Sequence, residues 1–166
     1  MLEQMVLEGQ VDLALASTEG GTPGLAYQII QRETIGILAA ADTPLAQSLP
    51  SGTPIHLEQA MDAPFVSLKT GHNVRVVQDR LFQERGLSPT LFLESDNMEA
   101  ARQITVNCGC YMLCAHSYTS EQGCFYPLAD YDNQRHFCAC YRQELRLPRY
   151  IQTMLHLVAE SLSPAD

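Results

Sequence analysis

The sequence predicts an α/β fold with mainly parallel sheets, and three observations carry that reading. Strand-length apolar runs alternate along the chain with segments of helical periodicity. Residues 91–114, LFLESDNMEAARQITVNCGCYMLC, read as strand, helix, glycine stop and strand, a βαβ unit whose helix crosses between parallel strands. Two apolar strand runs, 34–41 and 136–142, bracket the middle of the chain as a pair of hinge crossings would, dividing it into two lobes.

Each element has its own signal. Leu2, Met5 and Val6 before Gly9 read as the end of a helix with a glycine stop. Val11–Ala16 alternates, with Val11, Leu13 and Leu15 on one side, as a buried strand does. Residues 19–24 form a Gly-Pro surface loop, and Leu25, Tyr27 and Ile29 alternate as the next strand. Thr34–Ala41 is a second apolar strand, containing Gly36. Pro44, Pro50, Gly52 and Pro54 mark the passage between lobes, followed by a short helix over Ile55–Met61 and a strand over Pro64–Leu68. From Asn73, the residues Val74, Val77, Leu81 and Phe82 make one helical face, which Gly86 and Pro89 stop. In the βαβ unit Asp96 is placed to cap the helix, with Glu99 three residues on. Met98, Ala101, Ile104 and Thr105 share its buried face, and Gly109 ends it. Cys124–Leu128 and His136–Tyr141 are strands separated by a polar loop over Asp130–Arg135. A last helix begins at Pro148 and aligns Tyr150, Ile151, Met154, Leu155, Val158 and Leu162. Lobe I is thus 1–40 with 141–166, and lobe II is 41–140.

At 166 residues and 46% hydrophobic content, the chain is long enough for one domain or two small lobes with a buried core. Nineteen acidic residues against ten basic ones, among which Lys69 is the single lysine, give a formal charge of −9 that repels nucleic acid phosphates. No apolar segment approaches the roughly 20 residues of a membrane helix, and the start lacks the basic and apolar regions of a signal peptide. A cytoplasmic protein without membrane contact is expected. The six cysteines, all between Cys108 and Cys140, lack the spacing of a secreted disulfide scaffold and suit a reducing compartment.

The strongest ligand candidate is the N-terminus of the helix after Leu68. There Ser67, Thr70, Gly71, His72 and Asn73 gather hydroxyl, backbone and imidazole donors around unpaired helix N–H groups, and Lys69 and Arg75 strengthen a field that suits an anion. The helix near Asn97 already carries Asp96 and Glu99 at its start, so Ser95 and Asn97 suit a hydroxyl or amine instead. Ser17, at the end of the first strand, faces the same cleft in this reading. Each of these residues alone also suits a cap or turn. Cys108-Gly-Cys110 and Cys138-Ala-Cys140 are C-x-C pairs that can present two thiolates to zinc or to an oxidant. Without C-x-x-C knuckles, small apolar filler is the preferred reading, and no metal site is assigned. His116 and His136 read as satisfied groups. No nucleophile elbow, H-E-x-x-H or phosphate loop occurs, so neither catalysis nor a cofactor is expected.

The order of these motifs resembles the effector-binding domain of LysR-type transcriptional regulators, a periplasmic-binding-protein-like type II fold. LEGQVDLALAS (7–17) is similar to that family's helix end, glycine and "vDlai" strand. RETIGILAAADTPLA (32–46) resembles its passage into the second lobe with an "hPLa" sequence. Residues 62–117, from DAPFVSLKTGHNV to LCAHS, resemble the second lobe's first strand and two ligand-facing helices. Asn107, Cys108 and Gly109 replace the usual glycine-x-glycine turn, and Cys114 stands where proline is common. The resemblance implies two lobes with the first incomplete at its N-terminus, as in a fragment or a gene with a late start. It also implies a small anionic effector held between the lobes, and a homodimer or higher homo-oligomer in which the outward side of the 73–85 helix takes part. DNA would be contacted only through a winged helix-turn-helix absent from this chain. Two other readings of the scaffold are a solute-binding fragment of a transport system and a cysteine-based redox or metal sensor.

Overall fold

A computed structural model of the chain describes residues 2–18, 20–119, 121–129, 131 and 136–162. In chain order its elements are α1 (Leu2–Leu7), β1 (Leu13–Thr18), β2 (Leu25–Arg32), β3 (Ile35–Ala40), α2 (Pro44–Ser48), β4 (Phe65–Leu68), α3 (Asn73–Glu84), β5 (Leu91–Ser95), α4 (Met98–Asn107), β6 (Tyr111–Ala115), β7 (Gly123–Pro127), β8 (His136–Arg142) and α5 (Arg149–Leu162), with 3-10 turns at Leu57–Ala60 and His116–Tyr118. The polar loop expected over Asp130–Arg135 lies, apart from Tyr131, outside the described residues.

The chain forms two compact units, Met1–Glu33 with Asn133–Asp166, and Thr34–Asp132. The divisions fall earlier than the 40/41 and 140/141 boundaries read from the sequence. Strand pairing explains the difference: β3 ladders onto β6 and β7 within the second unit, and the whole of β8 ladders onto β1 and β2 within the first.

The first unit is a three-stranded sheet in the order β1-β8-β2, antiparallel throughout. Val6, Ala14, Leu25 and Cys140 form its buried cluster, and Val11 and Tyr27 pack against them. In β1 it is Ala14 that is buried, while Leu13 and Leu15 are half-buried. Arg142 donates through Nη1 to the Val6 carbonyl at 3.0 Å, satisfying an acceptor near the C-terminus of α1. Of the α5 face read from the sequence, Leu155 is buried, whereas Tyr150, Met154 and Leu162 are exposed.

The second unit holds a five-stranded sheet in the order β5-β4-β6-β3-β7. β4 is parallel to β5 and β6, and β3 is antiparallel to β6 and β7. The expectation of mainly parallel sheets is therefore corrected. Only the strands joined by the crossover helices α3 and α4 run parallel; β3 enters in the opposite sense. The βαβ unit is present over the residues read for it, yet β5 and β6 flank β4 instead of pairing with each other. Alternate residues of the strands supply two cores. Ile35, Ile37, Phe65, Tyr111 and Leu113 meet Val77, Leu81 and Phe82 of α3 on one face, while Leu38, Val66, Leu68 and Met112 meet Ala101 of α4 on the other. Phe65 sits edge-on to Phe82 at 5.2 Å and to Tyr111 at 5.7 Å. Each such fully buried large side chain contributes about 1.5–3 kcal/mol, so α3 and α4 are fixed on their strands chiefly by these faces.

Candidate functional site

The parallel β4–β5 pairing brings the C-terminal ends of both strands to one edge of the second unit. Ser67 stands opposite Glu94, and Leu68 opposite Ser95. The ladder runs one residue further, with the Lys69 N–H donating to the Ser95 carbonyl at 2.8 Å. Residues 69–73 and 95–97, distant in sequence, thus lie side by side where the strands deliver the chain into α3 and α4. That edge is where open α/β sheets collect small ligands.

The structure opens α3 at Asn73, the helix start where the sequence reading expects an anion. His72 is its N-cap, with no cap bond from the imidazole; its carbonyl accepts the first helical bond from the Val76 N–H at 3.2 Å. The N–H groups of Asn73, Val74 and Arg75 precede that bond and point out of the helix end. Thr70, Gly71 and Asn73 are exposed, His72 is partly buried, and Gly71 turns the chain at φ +104. That conformation suits glycine.

Ser67 does not join them. It is fully buried, and its hydroxyl accepts a hydrogen bond from Gln78 Nε2 at 2.6 Å. Ser95 and Asn97 are drawn into the start of α4. Asn97 Oδ1 accepts from the Ala100 N–H at 2.9 Å, and Ser95 Oγ accepts from the Asn97 N–H at 3.1 Å. Asn97, not Asp96, is therefore the N-cap, which corrects the capping box read at Asp96. Ser17 belongs to the first unit, where its hydroxyl donates to Glu33 at 2.6 Å.

The local field also differs from the sequence reading. Arg75 donates through Nε to Asp79 at 2.7 Å, and through Nη1 to Glu94 and, at 2.9 Å, to the Leu68 carbonyl. Its charge is answered by two carboxylates, so Arg75 braces α3 against β4 and β5 instead of reinforcing the helix mouth. Lys69 reaches across the two loops to Asp96 at 3.3 Å. The hydrogen bond and charge of Lys69 hold the Asp96 carboxyl below its ordinary range, and the hydrogen bond from Arg102 does the same for Glu99. Gln78, buried at 2% exposure, escaped the sequence reading. The signal was available: it lies four residues after Val74, on the apolar face of α3, where a polar side chain needs a partner.

Among the described residues no group of three or more histidine, cysteine or acidic side chains is arranged to hold a metal. No described helix is long and apolar enough to cross a membrane.

Paired loops at the ends of parallel strands, each opening a helix, define a domain of the α/β class. The sequence matches the family model of the LysR substrate binding domain over residues 1–163, and the chain belongs to that family. No curated protein matches the chain. Among solved structures it is similar to HinK, a LysR family transcriptional regulator from Pseudomonas aeruginosa (TM-score 0.70, 18% identity), covering 97% of this chain and 56% of HinK. The CcmR regulatory domain of Synechocystis PCC6803, in complex with 2-PG, aligns with a TM-score of 0.73 at 18% identity, over 97% of this chain and 78% of that one. The BenM effector binding domain with its effector benzoate aligns at 0.70 and 18%, over 97% and 73%. These likenesses show the type II periplasmic-binding-protein-like fold. The chain spans about half the length of HinK.

Proposed function

We propose that the chain is the effector-binding regulatory part of a LysR-type transcriptional regulator, and that a small carboxylate-bearing metabolite is held at the start of α3 by Thr70, Gly71, His72 and Asn73, with Ser95 and Asn97 alongside. The observation that carries this reading is the junction of the two loops. Outward amides of α3 and the mouth of α4 share one strand-end edge, joined by the Lys69–Ser95 backbone bond. Family membership and the ligands named for BenM and CcmR support it. The ligand acts by binding one arrangement of the protein better than another, and the shift is bounded by that difference in affinity.

DNA contact is assigned to a winged helix-turn-helix domain outside this chain, since a charge of −9 opposes binding to phosphates. The protein works in the cytoplasm and has no catalytic role. Assembly into a homodimer is assigned to the outward side of α3 and the β5 edge, where Val76, Leu91, Phe92 and Leu93 are exposed beside a hollow of about 310 Å³ lined by Phe82, Leu87 and Pro89.

A thermal-shift screen of small carboxylates and amino acids, repeated with Thr70→Ala, tests the site. A ligand present at 100 times its Kd stabilises by about 2.7 kcal/mol, and the variant is expected to lose most of that shift. A ligand that stabilises both proteins equally would place the pocket elsewhere.

A further inference from the structure

Helix α5 carries more apolar surface than its own unit uses. It lies against β2, where Gln31 Nε2 donates to the Leu162 carbonyl at 3.2 Å, and Leu155 is its buried residue, with Ile151 and Val158 partly buried on the same side. Tyr150, Met154 and Leu157 form a second stripe, spaced by four and then three residues, and they are 72%, 38% and 58% exposed. That spacing is the seam along which two helices pack side by side. The charges beside the stripe choose what covers it. Arg149 and Glu160 stand eleven residues apart, close to three full turns, so they lie on one flank of the stripe at opposite ends of the helix. A second α5 laid antiparallel brings each Arg149 level with Glu160 of the other copy, at both ends at once, and sets the two helix dipoles in opposition. A parallel copy would place like charges together. Glu160 also pairs with His156 of its own helix at 3.2 Å, but both side chains are largely exposed, so the carboxylate stays on the flank.

We propose that the outward face of α5 is a homotypic interface, on which two copies of this chain pack their α5 helices antiparallel, Met154 of each against Leu157 of the other. The inference depends neither on the effector site nor on the α3 face, and adds a second contact surface to those proposed above. The contact is isologous: one stripe serves both sides, with Tyr150 towards the ends and the Arg149–Glu160 pairs along the flank. A helix of 14 residues is too short to form a free-standing coiled coil. Here it is already folded onto the first unit, so association carries no cost of ordering it.

The test is sedimentation equilibrium of the whole chain over a range of concentrations, in wild type and again with Val76→Glu to silence the α3 face. In both backgrounds Leu157→Glu is expected to remove a self-association step and leave the melting temperature of the chain unchanged, since the side chain is exposed in the folded chain. Arg149→Glu and Glu160→Arg should each weaken that step about tenfold, the scale of two rim ion pairs replaced by like charges, and combining the two substitutions should restore it. Association that survives Leu157→Glu, or single reversals that the combined exchange does not rescue, would overturn the inference. So would a Val76→Glu chain that stays monomeric at every concentration, which would leave the α5 face to a different partner or to solvent. Association indifferent to Val76→Glu and lost in Leu157→Glu would uphold this interface and remove the assignment of the α3 face.

Discussion

The phenolic hydroxyl of Tyr27 donates to Oε1 of Glu3 at 3.0 Å and so ties β2 to α1. The same carboxylate accepts the Thr18 hydroxyl at 2.8 Å and the Thr22 hydroxyl at 2.8 Å, and the Thr22 N–H donates to the Tyr27 oxygen at 3.2 Å. One ionised side chain thereby joins the first helix, both strands that follow it and the turn between them. The ionised carboxylate is the stronger acceptor for all three hydroxyls, so these bonds favour the charged form.

This cluster makes the first unit sensitive to acid. Burial pushes the Glu3 carboxyl up, but hydrogen bonds from Thr22, Thr18 and Tyr27 outweigh it and hold the group below its ordinary 4.5. A depressed folded value means a stabilising contribution that is complete above the unfolded value and lost as pH falls through the folded one. Glu3→Gln is therefore expected to lower Tm by a constant amount from neutral pH to about pH 5, with the gap closing in more acid solution. Melting curves of both proteins across that range check it; a gap that persists in acid would mean that the charge is not what the cluster uses.

Gly36 sets a packing limit in the second unit. A Cβ added there would lie 2.4 Å from the Tyr126 carbonyl oxygen and 2.5 Å from Phe125 Cζ, both on the neighbouring β7. A ring can rotate, but a backbone oxygen in the middle of a ladder cannot withdraw without shifting the strand. Gly36→Ala is expected to cost about 3 kcal/mol, the upper end for overpacking, read as a lowered urea midpoint at unchanged slope.

The fold was legible where local chemistry decides it. Val74, Val77, Leu81 and Phe82 declared the buried side of α3, and Gly86 its end, because helix periodicity needs no partner to be visible. Strand direction was not legible. β3 reads like any apolar strand, and its antiparallel pairing depends on where the connections place it. The α2 turn at Pro44–Ser48 was hidden because its residues look like loop punctuation; proline at the first helical position starts it, and Thr43 Oγ1 back-bonds to the Ala40 carbonyl at 2.6 Å. Position in sequence located the two strand-end loops of the proposed site, but not which of their charges are ion-paired. Arg75 and Asp96 are spent on partners 19 and 27 residues away, which spacing along the chain cannot show.

Tyr111 links the sheet of the second unit to its surface turns. Its hydroxyl donates to Asp62 at 2.6 Å and accepts the Leu45 N–H at 3.3 Å, the second amide of α2. Burial pushes the phenol far above its ordinary value, with the Asp62 carboxylate adding to the shift, so it acts as a neutral donor at any working pH. Tyr111→Phe keeps the ring against Phe65 and removes only the oxygen. The Leu45 N–H is then orphaned in the core, and a loss of about 1–3 kcal/mol is expected by urea denaturation.

The six thiols are expected to fall into three classes. Cys108 is exposed, Cys124 is partly buried, and Cys110, Cys114, Cys138 and Cys140 are buried. Burial pushes Cys114 up to about 12 and raises Cys110, Cys138 and Cys140 as well. Only the thiolate attacks a disulfide reagent, and at pH 8 a thiol of pKa 12 is ionised in about one molecule in 10⁴, before access is considered. Titration of the native chain with an aromatic disulfide should therefore show Cys108 reacting first, Cys124 more slowly, and the remaining four only in denaturant. The C-x-C spacing is divided by this chemistry, since Cys108 is open to solvent while Cys110 turns inward and donates its S–H to the Cys108 carbonyl at 3.3 Å. Loss of both thiols of that pair to dilute peroxide, with Cys114 untouched, would contradict a filler role for Cys110 and restore the redox reading of the motif.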